Sequence, residues 1–320
     1  MVSVHLEHGR VRLQEIPVPE RPQGFALLRM LLGGICNTDL ELQRGYYGFA
    51  GIPGHEFVAE VVAADNVRLV GQRVVGEINL ACAECSWCRR GLGRHCPNRT
   101  VLGIVRHAGA FAEFLTLPER NLHVVPDSIP TEFAVFTEPL AAACRILDQV
   151  QIPADNSVAV LGDGKLGLLI AQALQSSGCK VHQFGRHRDK LRISERAGVT
   201  TEVTSDETLL PEAEYRWVVD ATGSAEGLRS AIRMVEPCGT VIMKSTVHGE
   251  VALDTAPVIV NEITLVGSRC GPFEPALELL QRGAIDVGAM ISETLPISDA
   301  SKAFETAAKK GVLKVLMTVV

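Results

Sequence analysis

No apolar run in the sequence approaches the roughly 18 residues needed to cross a bilayer, which predicts no membrane-spanning segment. The start, Met1-Val2-Ser3-Val4-His5-Leu6-Glu7, lacks a basic stretch leading into an apolar one, which predicts no secretory leader and a cytoplasmic protein. Basic charge is not in excess. With 31 Lys and Arg against 37 Asp and Glu the formal net charge is −6, which argues against a nucleic-acid partner held by its phosphates. Compositional bias is missing too. A chain that is 47% hydrophobic and 21% charged, with 29 Gly and 16 Pro in 320 residues, is not disordered, collagenous or a coiled coil. No internal repeat or low-complexity linker interrupts it. The length suits about two domains, with a core large enough to need no covalent staples.

Cysteine, by contrast, is present and unevenly spread. Of nine, Cys82, Cys85, Cys88 and Cys96 fall within fifteen residues, while Cys36, Cys144, Cys179, Cys238 and Cys270 are scattered. An odd, clustered set in a chain without a leader points to metal or catalysis rather than disulfides. The C-x2-C-x2-C-x7-C spacing lets a tight loop wrap four thiolates around one tetrahedral zinc. Gly91 and Gly93 permit the turns, and Arg89, Arg90 and Arg94 offset the charge. Four protein ligands leave no open position, so this zinc is expected to be structural. Four uncoordinated thiols in one loop would be a redox liability. A zinc-ribbon interaction module competes, although ribbons usually place two C-x2-C knuckles further apart.

Along the chain the pattern changes near residue 141. Before it, short aliphatic runs such as 25–32 and 56–63 lie between Gly and Pro and read as β-strands. After it, apolar runs at 157–161, 180–184, 217–220, 240–243 and 263–266 read as strands, with helices at 166–174 and 190–197. That alternation is the signature of a parallel sheet with crossover helices. The tail reads as strand from about 291, helix at 299–309 and strand at 313–319. It is too short for a core of its own and is expected to pack back on the first domain.

The turn Gly162-Asp163-Gly164-Lys165-Leu166-Gly167 directly follows the 157–161 strand and opens a helix. In that context G-x-G-x-x-G is a dinucleotide-binding turn, whose glycines allow the tight bend, the approach of the pyrophosphate and close helix packing. The helix N-terminus then offers unpaired N–H groups to the phosphates. A further constellation is dispersed: Cys36 with Thr38 and Asp39, His55 with Glu56, and Glu138 before Pro139. One thiolate, one imidazole and one carboxylate can hold a zinc with its fourth position open. Spacing alone leaves that set and ordinary core packing equally open.

Together these motifs resemble the medium-chain dehydrogenase/reductase superfamily, in its zinc-dependent alcohol and polyol dehydrogenase branch. The resemblance runs through Cys-x-Thr-Asp at 36–39, Gly-His-Glu at 54–56, the four cysteines at 82–96 and Gly-Ala-Phe-Ala-Glu-Phe at 109–114. It continues through Glu-Pro-Leu at 138–140, the glycine turn, Val-Val-Asp-Ala-Thr-Gly at 218–223 and Leu-Lys-Val-Leu at 313–316. It implies an α/β chain: a GroES-like β-rich catalytic domain over 1–136, with 288–320 packing back on it, and a Rossmann domain with a doubly wound parallel sheet over 137–287. The family places its active site in the cleft between the two.

Carried over residue by residue, the resemblance implies that Cys36, His55 and Glu138 hold a catalytic zinc, with Glu56 beside the metal. Asp39 fixes the histidine tautomer, and Thr38 is the hydroxyl through which the substrate proton leaves. Glu138 in place of a cysteine looks like the polyol and sugar dehydrogenases. Glu41 stands where many relatives carry a proton-relaying histidine, so either it takes that role or the relay runs through cofactor ribose and water. Tyr46 and Tyr47 either line the pocket or pack at the surface. Thr222 and Lys314 join Gly162, Gly164, Lys165, Leu166 and Gly167 as cofactor contacts.

The expected reaction is hydride transfer between a nicotinamide cofactor and an alcohol, polyol or sugar hydroxyl, or the carbonyl in reverse. The expected complement is two zincs per chain, in a homodimer or homotetramer without nucleic-acid or membrane partners. A strand-end acid normally bonds the ribose 2′-OH of NAD. Here the 180–184 strand runs into Gly185, then Arg186, His187 and Arg188. NADP is therefore expected to be preferred, with Arg186 the main phosphate contact, Arg188 secondary and NAD still possible. Two alternatives are a zinc-independent quinone or enone reductase of the same superfamily and a non-enzymatic nucleotide-binding protein. The first would lack Cys36, His55 and the cysteine lobe.

Overall fold

A computed structural model describes residues 1–205, 210–247 and 250–319, the Tyr47 side chain excepted. The chain divides into two compact units, Met1–Glu138 with Ile291–Val320, and Pro139–Met290. No helix among the described residues is long and apolar enough to cross a membrane.

The first unit is organised by the ten-residue strand Phe25–Gly34. Its alternate residues Ala26, Leu28, Met30 and Leu32 are buried, the period-two pattern of a strand with one face on a core. Three strands pair with it antiparallel: Glu56–Ala63, Phe114–Pro118 and Lys314–Thr318. The Lys314–Thr318 strand runs parallel to Ile291–Pro296, so the C-terminal segment completes this sheet. At the strand end the register sets Gly34 opposite Glu56 on one side and Leu316 on the other. The chain leaving Gly34 toward Cys36 is thereby delivered between two neighbouring strands. A separate small sheet of Asn79–Leu80, Thr100–Leu102 and Arg106–His107 flanks the cysteine loop.

The second unit carries a parallel sheet. Among the described residues its order is Thr200–Val203, Lys180–Gly185, Ser157–Leu161, Tyr215–Asp220, Val235–Met243 and Thr264–Gly267. Val158, Ala159, Val160 and Leu161 are all buried, as expected of a strand covered on both faces. The order reverses beside Ser157–Leu161, and in such sheets ligands bind at the carboxyl ends of the strands on either side of the reversal. Several elements lie outside the runs read from the sequence, the helix Phe273–Gln281 among them. Thr200–Val203 is a polar edge strand, and the apolar stripe of helix Ala225–Met234 is diluted by buried Gly227 and Ser230.

Candidate active site and metal centres

Cys36 is the N-cap of the helix Asn37–Gln43. Asp39, fully buried, reaches back so that its Oδ2 accepts the Cys36 backbone N–H at 2.8 Å, one half of a capping box. Its other oxygen accepts the Gly54 N–H at 3.1 Å. One carboxylate thus ties together the two loops that carry Cys36 and His55. Gly54 has φ +100°, which a side chain rarely tolerates, and an added Cβ would lie 2.5 Å from the Phe111 ring. That turn presents His55 immediately before the next strand, Glu56–Ala63. His55 Nδ1 lies 3.4 Å from Asp39 Oδ1, within ion-pair reach though without hydrogen-bond alignment. Burial disfavours the imidazolium, but Asp39 and the Cys36 sulfur outweigh it and hold His55 well above its ordinary value.

The donor atoms of Cys36, His55 and Glu56 all lie within 4.8 Å of one another. Glu56 is 1% exposed: its Oε2 accepts from the Lys314 ammonium, while its Oε1 is buried without a hydrogen-bond partner. A soft sulfur, an imidazole and a carboxylate with an unsatisfied oxygen are a donor set that suits zinc. Glu138, expected as the third ligand, sits in the first turn of helix Thr137–Gln149 and is not one of those three clustered donors. The Thr38 hydroxyl lies 3.9 Å from the Cys36 sulfur.

Lys314, expected at the cofactor, is buried with its Nζ also 3.4 Å from Ile35 O and 5.7 Å from the Phe136 ring centroid. Burial lowers its pKa, but Glu56 and then Cys36 raise it by more. The sequence gives no sign of this pair, because strand pairing across 258 positions creates it. Glu41 pairs with Arg44 at 2.5 Å on the surface. Tyr46 lies in the short turn Tyr46–Gly48, and the Tyr47 side chain is outside the described residues.

The cysteine loop gives a sharper metric. Its sulfur separations are 3.5 Å for Cys85–Cys88 and Cys82–Cys96, 3.8 Å for Cys85–Cys96 and 3.9 Å for Cys82–Cys88. Four sulfurs at ~2.3 Å from a tetrahedral zinc stand about 3.8 Å apart, whereas a disulfide needs ~2.05 Å. The residues fit the ion. Backbone amides of Glu84 and Cys85 pull Cys82 down to about 6, while burial and neighbouring thiols push Cys88 up to about 12.

In the second unit, Gly162 takes φ +113°, and a Cβ there would meet Ala221 O at 2.7 Å. A Cβ on Gly167 would strike Gly162 O at 2.3 Å, whereas one on Gly164 would meet nothing within 4 Å. Gly164 caps the helix Lys165–Ser176, with Leu166 in its first turn. Two glycines are therefore demanded by packing, and the third opens onto free space at a helix N-terminus. A pyrophosphate fits there. Thr222 donates its backbone N–H and its hydroxyl to Asp220 Oδ1, at 3.0 and 2.7 Å. Arg186 is exposed beyond Gly185, and Arg188 pairs with Glu195 at 3.0 Å.

A parallel-sheet dinucleotide domain joined to a β unit with two cysteine-bearing donor sets that could hold a metal defines a zinc-binding dehydrogenase. Residues 22–127 match the alcohol dehydrogenase GroES-like domain and 166–282 the zinc-binding dehydrogenase domain. The chain is 33% identical to a D-altritol 5-dehydrogenase of Agrobacterium fabrum over 310 residues, 92% of each chain. It is 28% identical to an erythritol/L-threitol dehydrogenase of Mycolicibacterium smegmatis, over 93% of this chain and 91% of that one. A solved zinc-binding dehydrogenase of Sinorhizobium meliloti, bound to NADP, superposes with TM-score 0.90 at 28% identity, over 99% and 98% of the two chains. The chain belongs to the zinc-dependent alcohol and polyol dehydrogenases of the medium-chain dehydrogenase/reductase superfamily. It is an NAD(P)-dependent oxidoreductase acting on alcohol or polyol hydroxyls.

Proposed function

We propose that this is a cytoplasmic polyol or sugar dehydrogenase with two zincs per chain. Cys36, His55 and Glu138 hold one, with Glu56 beside it, and Cys82, Cys85, Cys88 and Cys96 hold the other. The observation that carries the reading is the meeting of Cys36, His55 and Glu56 within 4.8 Å, braced from behind by buried Asp39. When bound, the zinc supplies Lewis-acid polarisation of the substrate oxygen and the nicotinamide supplies the hydride chemistry. Asp39 holds the Cys36 and Gly54 backbones and faces His55 Nδ1, which leaves Nε2 as the ligand nitrogen. Thr38 accepts the substrate hydroxyl proton. Lys314 fixes Glu56 through Oε2, so only Oε1 of that carboxylate is available to the metal. The relative named for D-altritol supports a polyol substrate. Assaying polyols, aldoses and secondary alcohols by cofactor absorbance, on protein with its metal counted, tests the reading. Two zincs and polyol turnover support it, and one zinc without turnover sinks it.

NADP is the preferred cofactor in this reading, on the absence of an acid at Gly185 and the exposed Arg186 after it. Arg186→Ala is expected to reduce kcat/KM for NADP by roughly tenfold to a hundredfold, the range of one charge-assisted hydrogen bond, and to leave NAD little changed. A wild-type preference for NAD would defeat it. The assembly is a homodimer or homotetramer joined at the Thr264–Gly267 sheet edge. Ile259 and Val260 on the adjoining helix Ala256–Val260 are 72% and 78% exposed, a costly arrangement for a lone chain. Sedimentation as a monomer at micromolar concentration contradicts this.

A further inference from the structure

Asp163, the second residue of the glycine turn, is 8% exposed although it carries a charge. Its Oδ2 accepts the His187 backbone N–H at 2.6 Å and faces His187 Nδ1 at 3.0 Å. Both contacts fall on one oxygen. The carboxylate also lies against Gly185, the last residue of the Lys180–Gly185 strand. A Cβ on Gly185 would stand 2.6 Å from Asp163 Cβ, 2.9 Å from its Cγ and 3.0 Å from Oδ2. Gly185 does not have a left-handed φ, so glycine is required there for space and not for backbone freedom. The side chain of Asp163 therefore fills the room that a strand-end side chain would occupy.

That room is where a dinucleotide fold usually places the acid that bonds the ribose 2′-OH. We propose that Asp163 supplies this carboxylate from the glycine turn, so that it reads the adenosine ribose in place of an acid at position 185. Oδ1 accepts the 2′-OH of NAD. The same charge opposes a 2′-phosphate and limits the preference that Arg186 confers, so the enzyme uses both cofactors. Through His187, the N-cap of helix Arg188–Arg196, Asp163 also fixes where Arg186 and Arg188 begin. The inference rests on a nicotinamide dinucleotide lying on this turn, but not on which of the two is preferred.

Direct binding tests it without turnover. NADH and NADPH are titrated against the zinc-loaded enzyme, following nicotinamide fluorescence. Asp163→Asn keeps an acceptor for the His187 N–H but removes the charge. It is expected to weaken NADH about tenfold or more while NADPH binds as well or better. Equal weakening of both would mean that Asp163 only ties the two turns together, and no change in either would also overturn the proposal. The exchanged pair, Asp163→Gly with Gly185→Asp, moves the carboxylate to the strand end and is expected to restore NADH binding. If Asp163→Asn fails to fold, that pair decides: NADH restored supports the proposal, and persistent NADPH selectivity overturns it. Arg186→Ala run alongside separates the two readings. It removes NADPH affinity if the arginine assignment holds, whatever Asp163 does.

Discussion

Replacing Cys36 with serine is expected to lower kcat/KM by roughly a thousandfold, to halve the zinc content and to leave the melting temperature nearly unchanged. Serine is a good N-cap residue, so the helix Asn37–Gln43 keeps its start. The Asp39 bond to the residue-36 backbone N–H survives, because it involves no side-chain atom of Cys36. On the proposed ligation, what disappears is the soft sulfur ligand, and with it the site's hold on zinc. Lewis-acid polarisation contributes several kcal/mol to transition-state stabilisation, and each ~1.4 kcal/mol is a factor of ten in rate. Metal analysis, a thermal melt and steady-state kinetics on one preparation distinguish this from misfolding. Retained turnover with two zincs bound would remove Cys36 from the mechanism.

Legibility in the sequence follows how local each feature is. The glycine turn could be read because its three glycines act within one strand–turn–helix unit, where Gly162 and Gly167 are demanded by packing and Gly164 leaves the helix N-terminus open. The four cysteines could be read because the loop that carries them closes on itself. Strand pairing between distant segments could not. The Glu56–Lys314 pair exists because Gly34 lies opposite Glu56 and Leu316 at once, a juxtaposition made by sheet register. The clash that excludes a side chain at Gly185 is likewise invisible until residues 163 and 185 are brought together by two adjacent parallel strands. The sequence drew attention to what position 185 lacks. The structure shows what fills the space.

The cysteine loop is expected to respond in the opposite way to Cys36. Cys96 is completely buried and its sulfur is 3.5 Å from Cys82 and 3.8 Å from Cys85, so Cys96→Ala opens the cage from its most enclosed corner. The loop holds only the short helix Ser86–Arg89 and the turn Gly93–His95, and its exposed Trp87 adds little to a core. On the proposed ligation, the metal provides most of its order. A cross-link closing about 15 residues contributes about 3 kcal/mol on the chain-entropy account, which for a domain of this size is roughly 6–12 °C in Tm. The small sheet formed by Asn79–Leu80 and Thr100–Leu102 is anchored to both ends of that loop and should loosen with it. The expected result is one zinc lost, a lower Tm, and new protease cleavage within residues 82–96. Turnover by molecules that remain folded should be close to wild type, since Cys36, His55, Glu56 and Asp39 draw their order from the main sheet. An unchanged Tm and cleavage pattern after loss of that zinc would mean that the loop is ordered by packing and that the ion there is incidental.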